Sequence, residues 1–250
     1  MDSQTRLPRA TLPALEHLGP SDYERVYEPA DDTFLLLDVL TADAAWLAAR
    51  QPLLCAEVGS GSGAVISGLG ALLNRPSAAL SHAEPVALLA TDINRDAAVA
   101  TAKTASANAL SIDAVHSDLL SAFRGSCIDV LIFNPPYVPT SETELDEAAS
   151  SGGISASWAG GPRGRLVLDR LLPCVGRMLS ARGVFYLLGV HENDPEELMR
   201  ALSRIGMQAR VVARRRAQNE RLFVIRAERL LGEAKHAGDG AAGGGGSGGG

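Results

Sequence analysis

Short apolar runs alternate with segments of helical periodicity along most of this chain. Runs typical of buried strands occur at Leu53–Val58, Val86–Thr91, Ala114–His116, Ile128–Phe133, Gly183–Leu188, Ala209–Arg214 and Arg221–Arg226. Helical patterns cover Val65–Leu73, Arg95–Asn108, Arg165–Leu179 and Pro195–Ile205. This alternation predicts an α/β fold with a doubly wound, mostly parallel sheet of seven strands. Because only a few polar residues separate the last two runs, we expect a C-terminal antiparallel hairpin there.

The two ends of the chain lack this pattern. Residues 1–20 are irregular and interrupted by prolines, and glycine and alanine dominate from Gly232 onward. Such a tail cannot bury enough apolar surface to order itself. We therefore expect a flexible N-terminal segment over residues 1–20, one folded domain over 21–231 and a disordered Gly-rich tail over 232–250. A chain of 250 residues with 46% hydrophobic content suffices for that domain.

Composition excludes several classes of protein. There is no apolar run of membrane-spanning length and no signal-peptide core, so we expect no membrane segment. Cys55, Cys127 and Cys174 lie far apart, in or beside apolar segments, which predicts reduced core residues in a cytoplasmic or nuclear protein. The histidines show no metal-ligand spacing, so we expect no metal site. A formal net charge of −6, with Arg214–Arg216 as the one dense basic run, argues against stable nucleic-acid binding.

The segment Asn134-Pro135-Pro136-Tyr137, called the NPPY segment below, follows the apolar run Ile128–Phe133. The prolines have no amide hydrogen and stiffen the backbone, which leaves the Pro135 carbonyl as a pre-oriented acceptor beside the Asn134 side chain. Two convergent acceptors suit a planar NH2 group, and the ring of Tyr137 can lie against it. The segment resembles the signature of amino-group methyltransferases that use S-adenosylmethionine. The plainer alternative is a proline-rich turn after a strand.

Three further motifs follow predicted strands, at the edge of the sheet where doubly wound folds bind ligands. Glu57 precedes the turn Gly59–Gly63, whose spacing differs from the pattern that docks a pyrophosphate. A carboxylate there suits a cationic amino-acid moiety. Asp92 can accept from ribose hydroxyls, and Asp118 can accept from an adenine amino group with Leu119 as an apolar wall. Singly, each aspartate also fits a helix cap or a turn.

Together these motifs resemble the HemK-type class I S-adenosylmethionine-dependent methyltransferases. Members of that family methylate the glutamine amide in the Gly-Gly-Gln loop of class I peptide-chain release factors. Tyr27–Leu36 and Ser157–Arg165 further resemble the eukaryotic and archaeal branch, and the likeness runs from about Val26 to Arg226. Asp31 stands where glutamate is commoner. The resemblance implies a Rossmann-like methyltransferase fold and a release-factor glutamine methyltransferase activity.

The resemblance also implies roles for individual residues. Asn134 and Pro135 would bind the substrate amide, and Tyr137 would pack against it. No strong base is implied, because holding both amide hydrogens would raise the electron density on the nitrogen and align it with the methyl group. S-adenosylmethionine would contact a set of residues near the strand ends, namely Thr33, Glu57, Gly59, Gly61, Gly63, Asp92, Asp118, Leu119 and Asn134.

A protein partner is implied as well. Members of this branch work as heterodimers with a small zinc-binding activator subunit, which covers an apolar edge of the sheet. The third strand is expected at such an edge, and Ala109–Val115 is apolar with little protective charge. The alternative is ordinary burial against a neighbouring helix.

Other interpretations remain open at this level. The same pair of acceptors fits an exocyclic amine of DNA adenine, a lysine or a small molecule, although the acidic charge weighs against DNA. A cofactor-binding subunit without catalysis is a third interpretation, which the intact NPPY segment disfavours. In the polar stretch Thr140–Gly164, we expect Trp158 to pack on the domain or on a ligand. Arg163 and Arg165 either contact substrate or stabilise nearby structure.

Overall fold

The computed structural model describes residues 7–74, 85–141, 143–144, 157–217 and 220–229. Within these ranges seven strands form one sheet. They are β1 (Leu54–Val58), β2 (Ala87–Asp92), β3 (Ile112–His116), β4 (Ile128–Phe133), β5 (Leu179–Val190), β6 (Met207–Ala217) and β7 (Glu220–Arg229). Their spatial order is β3-β2-β1-β4-β5-β7-β6. Strands β1 to β5 are parallel, while β7 runs antiparallel to both β5 and β6. The doubly wound sheet and its terminal hairpin are therefore confirmed.

Helices cover both faces of the sheet. They are α1 (Pro20–Tyr23), α2 (Asp31–Ala49), α3 (Ala64–Leu73), α4 (Arg95–Ala107), α5 (Leu166–Met178) and α6 (Pro195–Arg204). Along β4, Val130 and Ile132 pack into the core shared with α2 and α3, whereas Leu131 and Phe133 pack into the core shared with α5 and α6. This alternation explains why a strand buried on both faces is a continuous apolar run.

Several strands are longer than the hydrophobic pattern predicts. β3 begins at Ile112, two residues before the predicted start, and it forms one edge of the sheet as expected. β6 extends to Ala217 and includes Arg214–Arg216, because backbone pairing with β7 continues beyond the apolar positions. In this run Arg215 contacts Asp38 of α2, while its two neighbours are exposed. On an edge strand, polar side chains do not interrupt the ladder of backbone bonds.

Residues 7–19 contain neither helix nor strand, but they are held by side chains of the domain. The Ala10 amide donates to Asp38 Oδ1 at 2.7 Å, and the Ala14 amide donates to Asn108 Oδ1 at 2.8 Å. Two points of this segment thus bond to the folded domain, and its flexibility stays a prediction. Residues 75–84, much of the polar stretch before residue 157, and the Gly-rich tail lie outside the described residues.

The cysteines correct one expectation. Cys55 is buried in β1, but Cys127 is exposed and Cys174 is half-buried, so the prediction of three core cysteines is wrong for two of them. Cys127 lies just before β4, and Cys174 lies beside Arg177 on α5. In the described ranges we find no cluster of three or more potential metal ligands. No helix there combines the length and apolar character that crossing a bilayer requires.

Candidate active site

A cavity of about 510 Å³ opens at the carboxyl ends of the central parallel strands. It lies where such sheets place their ligands, because the loops after adjacent parallel strands converge on the same edge. The structure brings nearly all of the predicted site residues onto its wall. These are Thr33, Glu57, Gly59, Gly61, Asp92, Asp118, Leu119, Asn134, Pro135 and Tyr137.

The Gly-rich turn after β1 shapes one side of the cavity. Gly59 and Gly61 adopt left-handed backbone conformations, with φ of 66° and 53°, which favour glycine. The Gly61 amide donates to Asp92 Oδ2 at 2.9 Å, so the turn is fixed to the end of β2. Gly63 does not line the cavity, although we expected it to contact the cofactor. A Cβ at Gly63 would lie 2.8 Å from the Thr101 Cα, so this glycine permits close packing of α3 against α4 instead.

Two buried carboxylates face this turn. Glu57 is 2% exposed and its Oε2 accepts a hydrogen bond from the Ile66 amide at 2.9 Å. Burial raises the pKa of Glu57 well above its usual range. Burial also raises the pKa of Asp92, against the opposing effect of bonds from the Gly61 and Asn94 amides. A ligand that brings positive charge or hydroxyl donors would therefore stabilise both ionised carboxylates.

The third predicted carboxylate has a different environment. Asp118 follows β3, lies partly in solvent, and accepts a hydrogen bond from Arg170 Nη2 at 2.5 Å. Arg170 reaches this position from α5 and also lines the cavity. The sequence reasoning missed Arg170, since 52 residues separate it from Asp118. Leu119, the predicted apolar wall, lies beside them.

The NPPY segment lies on the opposite side of the cavity, after β4. Asn134 Nδ2 donates to Asp32 Oδ2 at 2.9 Å, and the Tyr137 hydroxyl donates to the same oxygen at 3.3 Å. The Tyr137 hydroxyl also lies 3.4 Å from Glu220 Oε2. Asp32 itself is held by the Thr33 amide, which donates to its other oxygen at 2.6 Å. One buried carboxylate thus fixes both functional side chains of the segment.

Asn134 Oδ1 is buried and has no hydrogen-bond partner among the described residues. Its amide group cannot turn to satisfy this oxygen without losing the bond to Asp32. Buried acceptors are rarely left unpaired, so this atom marks a place for a donor from a ligand. Burial raises the pKa of Tyr137, which keeps its hydroxyl protonated and able to donate. The arrangement therefore presents an acceptor, not a base, to a planar NH2 group.

Comparison with known proteins identifies the family. Residues 34–151 match the family model described as the methyltransferase small domain. The chain is 42% identical over 224 residues to the Mus musculus protein named Methyltransferase HEMK2, an alignment covering 88% of this chain and 97% of that protein. It is 36% identical over 234 residues to the eRF1 methyltransferase catalytic subunit mtq2 of Schizosaccharomyces pombe, covering 88% and 96%. The chain belongs to the HemK-type class I methyltransferases.

A solved structure supports the same fold for this HemK-type enzyme. The E. cuniculi Mtq2-Trm112 complex, described as responsible for methylation of the eRF1 translation termination factor, matches with a TM-score of 0.56 and 24% identity. The match covers 82% of this chain and 98% of the other. The seven-stranded sheet described above is thus the Rossmann-like methyltransferase fold.

S-adenosylmethionine is the cofactor of this methyltransferase, and the cavity has the chemistry to hold it. Glu57 would face the cationic amino group, Asp92 the ribose hydroxyls and Asp118 the adenine amino group. The bare backbone of Gly59 and Gly61 leaves room for close approach. The two buried carboxylates with raised pKa are the strongest sign of fit, because their ionised forms gain most from a cationic ligand.

Sequence reasoning missed the residues that hold the NPPY segment. Asp32 stands in the first turn of α2, where an acidic residue is expected simply for its interaction with the helix dipole. Its place in the segment Tyr27–Leu36 was the one available signal. Glu220 begins β7 and gave none. Trp158 lines the cavity and is 38% exposed, so its packing on the domain or on a ligand stays a prediction.

The two arginines of the loop before α5 stabilise structure within the domain. Arg163 Nη2 lies 2.7 Å from Glu197 Oε2, and Arg165 contacts the same carboxylate at 3.1 Å and Asp169 at 2.7 Å. Arg165 is 5% exposed, so it is not free to reach a substrate. Both arginines thus make the structural contacts of one predicted alternative, and contact of the exposed Arg163 with a substrate stays a prediction.

Proposed function

We propose that this enzyme transfers the methyl group of S-adenosylmethionine to the side-chain amide of the glutamine in the Gly-Gly-Gln motif of a class I release factor. The unpaired, buried Oδ1 of Asn134 supports this most directly. A glutamine NH2 has two hydrogens, one for this oxygen and one for the Pro135 carbonyl. The name of the fission yeast relative, an eRF1 methyltransferase catalytic subunit, agrees with a protein substrate in translation termination.

The chemistry follows from the poor nucleophilicity of an amide nitrogen. Its lone pair is delocalised into the carbonyl, and accepting hydrogen bonds from both hydrogens returns electron density to the nitrogen. When bound, S-adenosylmethionine supplies the electrophilic methyl group. Asn134, held by Asp32, and the stiff backbone at Pro135 would fix the nitrogen in line for attack. The proton released from the product nitrogen passes to the Pro135 carbonyl or to water.

We further propose that the chain is the catalytic subunit of a heterodimer with a small zinc-binding activator protein. The E. cuniculi structure, a complex of Mtq2 with the protein Trm112, supports a protein partner. The edge strand β3 offers a suitable surface, because Ile112, Ala114 and Val115 are only half-buried there. Its backbone groups on the outer side face no other strand of the described sheet. We infer a cytoplasmic location, as release factors act there, with the nucleus as the other option.

The test is methyl transfer by the co-expressed heterodimer. Labelled S-adenosylmethionine is supplied with a release factor, with its Gly-Gly-Gln→Gly-Gly-Ala version, with a Gly-Gly-Lys version and with duplex DNA. Label on the Gly-Gly-Gln protein alone would support the proposal. Label on DNA, on the lysine version or equally on all protein versions would leave the methyltransferase standing and overturn the substrate.

A further inference from the structure

Asn193 is a buried polar residue next to the active site that has no assigned role. It lies in the short turn His191–Asn193 between β5 and α6, and its side chain is fully buried. β5 pairs with β4 in parallel, so this turn and the NPPY segment follow adjacent strand ends. The turn therefore lies at the ligand-binding edge of the sheet, although it does not line the cavity.

The side chain of Asn193 joins three separate segments. Its Nδ2 donates to the carbonyl of Tyr137 at 2.9 Å and to the carbonyl of Arg163 at 2.9 Å, with a longer contact of 3.4 Å to the Gly164 carbonyl. Its Oδ1 accepts from the Val190 amide at 2.8 Å. Both ends of the amide group are thus used, which fixes its orientation.

The NPPY segment requires anchors of this kind. Pro135 and Pro136 have no amide hydrogen, so their backbone cannot donate a hydrogen bond that would hold them in place. The Tyr137 carbonyl has such an anchor, because it accepts a hydrogen bond from Asn193 Nδ2. The next anchors are Val138 N to the Trp158 carbonyl and Gly160 N to the Val138 carbonyl. The direction of the Pro135 carbonyl depends on the bonds at both ends of this stretch.

The loop before α5 lies directly against the same stretch of backbone. A Cβ at Gly160 would lie 2.5 Å from the Pro136 carbonyl oxygen, and one at Gly164 would lie 1.8 Å from the Tyr137 carbonyl oxygen. At these distances, a residue larger than glycine does not fit at either position unless the backbone moves. The Asn193 amide bonds to both sides of the contact, since it reaches the NPPY segment and the loop together.

The position of Asn193 is itself constrained. Asp194 adopts a left-handed conformation with φ of 58°, which is uncommon for a residue other than glycine, and Pro195 follows it. The Asp194 side chain accepts from the Glu197 amide at 3.0 Å and so caps α6. A turn this constrained holds the Asn193 side chain as a rigid support for its neighbours.

We propose that Asn193 is a positioning residue for methyl transfer. It holds the Tyr137 carbonyl and the adjoining loop so that the Pro135 carbonyl and the Asn134 side chain converge on the substrate amide. This proposal rests on the proposed function in one respect, namely that the substrate group to be positioned is a glutamine amide. Its effect is on turnover, because no contact of Asn193 reaches the carboxylates on the cofactor side.

The test compares Asn193→Asp with Leu202→Ala in the heterodimer. The aspartate keeps the size of the side chain and the acceptor for Val190, but it places an oxygen against two carbonyls. We expect kcat to fall about 30-fold or more, with the Kd for S-adenosylmethionine within about threefold of wild type. Leu202 is fully buried on α6 and has no polar contact with the NPPY segment. Its truncation should lower the thermal midpoint while leaving kcat nearly unchanged.

Amide hydrogen exchange gives a second readout that does not require a substrate. Val138 directly follows the NPPY segment, and its backbone bonds join it to the loop before α5. Exchange at Val138 and Gly160 should accelerate in Asn193→Asp and not in Leu202→Ala. Equal losses of kcat in the two variants, or unchanged exchange in Asn193→Asp, would overturn the assignment. If Asn193→Asp does not fold, Asn193→Ser is measured against the same control and the same criteria. If the wild type fails to methylate the release factor, the proposed substrate falls, while exchange still decides the role of Asn193.

Discussion

The two sides of the cavity are built in different ways. On the cofactor side, Glu57 accepts from Ile66 nine residues later, and the Gly61 amide donates to Asp92 on the adjacent strand. On the catalytic side, Asn134 is held by Asp32, which is 102 residues away in the sequence. Tyr137 is held through its hydroxyl and carbonyl by side chains of α2, β7 and the turn after β5.

This difference teaches where each kind of function resides. The cofactor side consists of short motifs that carry their own turns and carboxylates, so its properties are mostly local. The catalytic side consists of two prolines and two side chains whose geometry is set by distant parts of the chain. Substitutions on the first side should change cofactor affinity, and those on the second side should change turnover.

Asn134→Ala should have the largest effect on methyl transfer, because it removes a catalytic side chain. Removing the unpaired acceptor should lower the rate of methyl transfer by about 10³-fold, or about 4 kcal/mol, because the hydrogen bonds that activate the amide are lost. The Kd for S-adenosylmethionine should stay within a few-fold of wild type. Single-turnover transfer and calorimetric titration of the cofactor measure the two quantities. A matching collapse of cofactor binding would refute the separation of the two sides.

Gly164→Ala should displace the NPPY segment from the side of the loop before α5. The added Cβ would lie 1.8 Å from the Tyr137 carbonyl oxygen at a φ of 65°, so it introduces both a clash and backbone strain. We expect the free energy of unfolding to fall by about 3 kcal/mol or more. Gly206→Ala is the matched control, since Gly206 has a φ of 80° and open space around it. The control should cost only about 1 kcal/mol in urea unfolding. Equal losses would mean that the close packing contributes nothing.

Asp32→Asn should misorient the catalytic side chains without removing them. Both oxygens of Asp32 accept hydrogen bonds, one from the Thr33 amide and the other from Asn134 Nδ2 and the Tyr137 hydroxyl. An asparagine has a single acceptor oxygen, so its NH2 group must face a donor on one of the two sides. We expect kcat to fall about 30-fold, or about 2 kcal/mol. Asp31→Asn removes an equivalent charge from the same first turn of α2 but is exposed, so it should have little effect. If steady-state kinetics give the same kcat for the two variants, Asp32 does not orient the catalytic side chains.

Glu57→Gln should change the cofactor side of the cavity and leave the catalytic side intact. We expect the affinity for S-adenosylmethionine to fall about tenfold, or about 1.4 kcal/mol, because the ligand loses its ionic partner. The bond from the Ile66 amide can be kept by the glutamine oxygen. Cofactor titration measures this effect, and kcat at saturating cofactor should change much less than in Asp32→Asn.

The same variant carries a pH signature. Burial raises the pKa of Glu57, so the folded protein without cofactor binds a proton that the unfolded chain has already released. Stability is therefore lost as the pH rises from the ordinary glutamate pKa through the raised one. Glu57→Gln should remove this contribution and lessen the slope in urea unfolding as the pH rises above the ordinary glutamate pKa. Glu24→Gln, at an exposed position, should leave the slope unchanged. An unaltered slope in Glu57→Gln would contradict the raised pKa.

Much of the fold could be predicted, because buried parallel strands are apolar on both faces and so appear as uninterrupted runs. β1, β2 and β4 were located to within a residue or two. The start of β5 and the ends of β6 and β7 were not. At the ends of β6 and β7, Arg216 and Glu228 belong to the sheet through backbone pairing and not through apolar side chains. Cys127 and Cys174 show the same limit, as apolar neighbours in the sequence did not make them buried.

By itself, the sequence determined the α/β sheet, the Gly-rich turn, the carboxylates at the strand ends and the NPPY segment. Each of these is a short run of residues whose chemistry is complete within a few positions. Only the tertiary structure decided that Asp32 orients Asn134, that Gly63 serves helix packing, and that Asn193 holds the Tyr137 carbonyl. These roles depend on side chains that meet across 40 to 100 or so residues of chain, and folding alone brings such groups together.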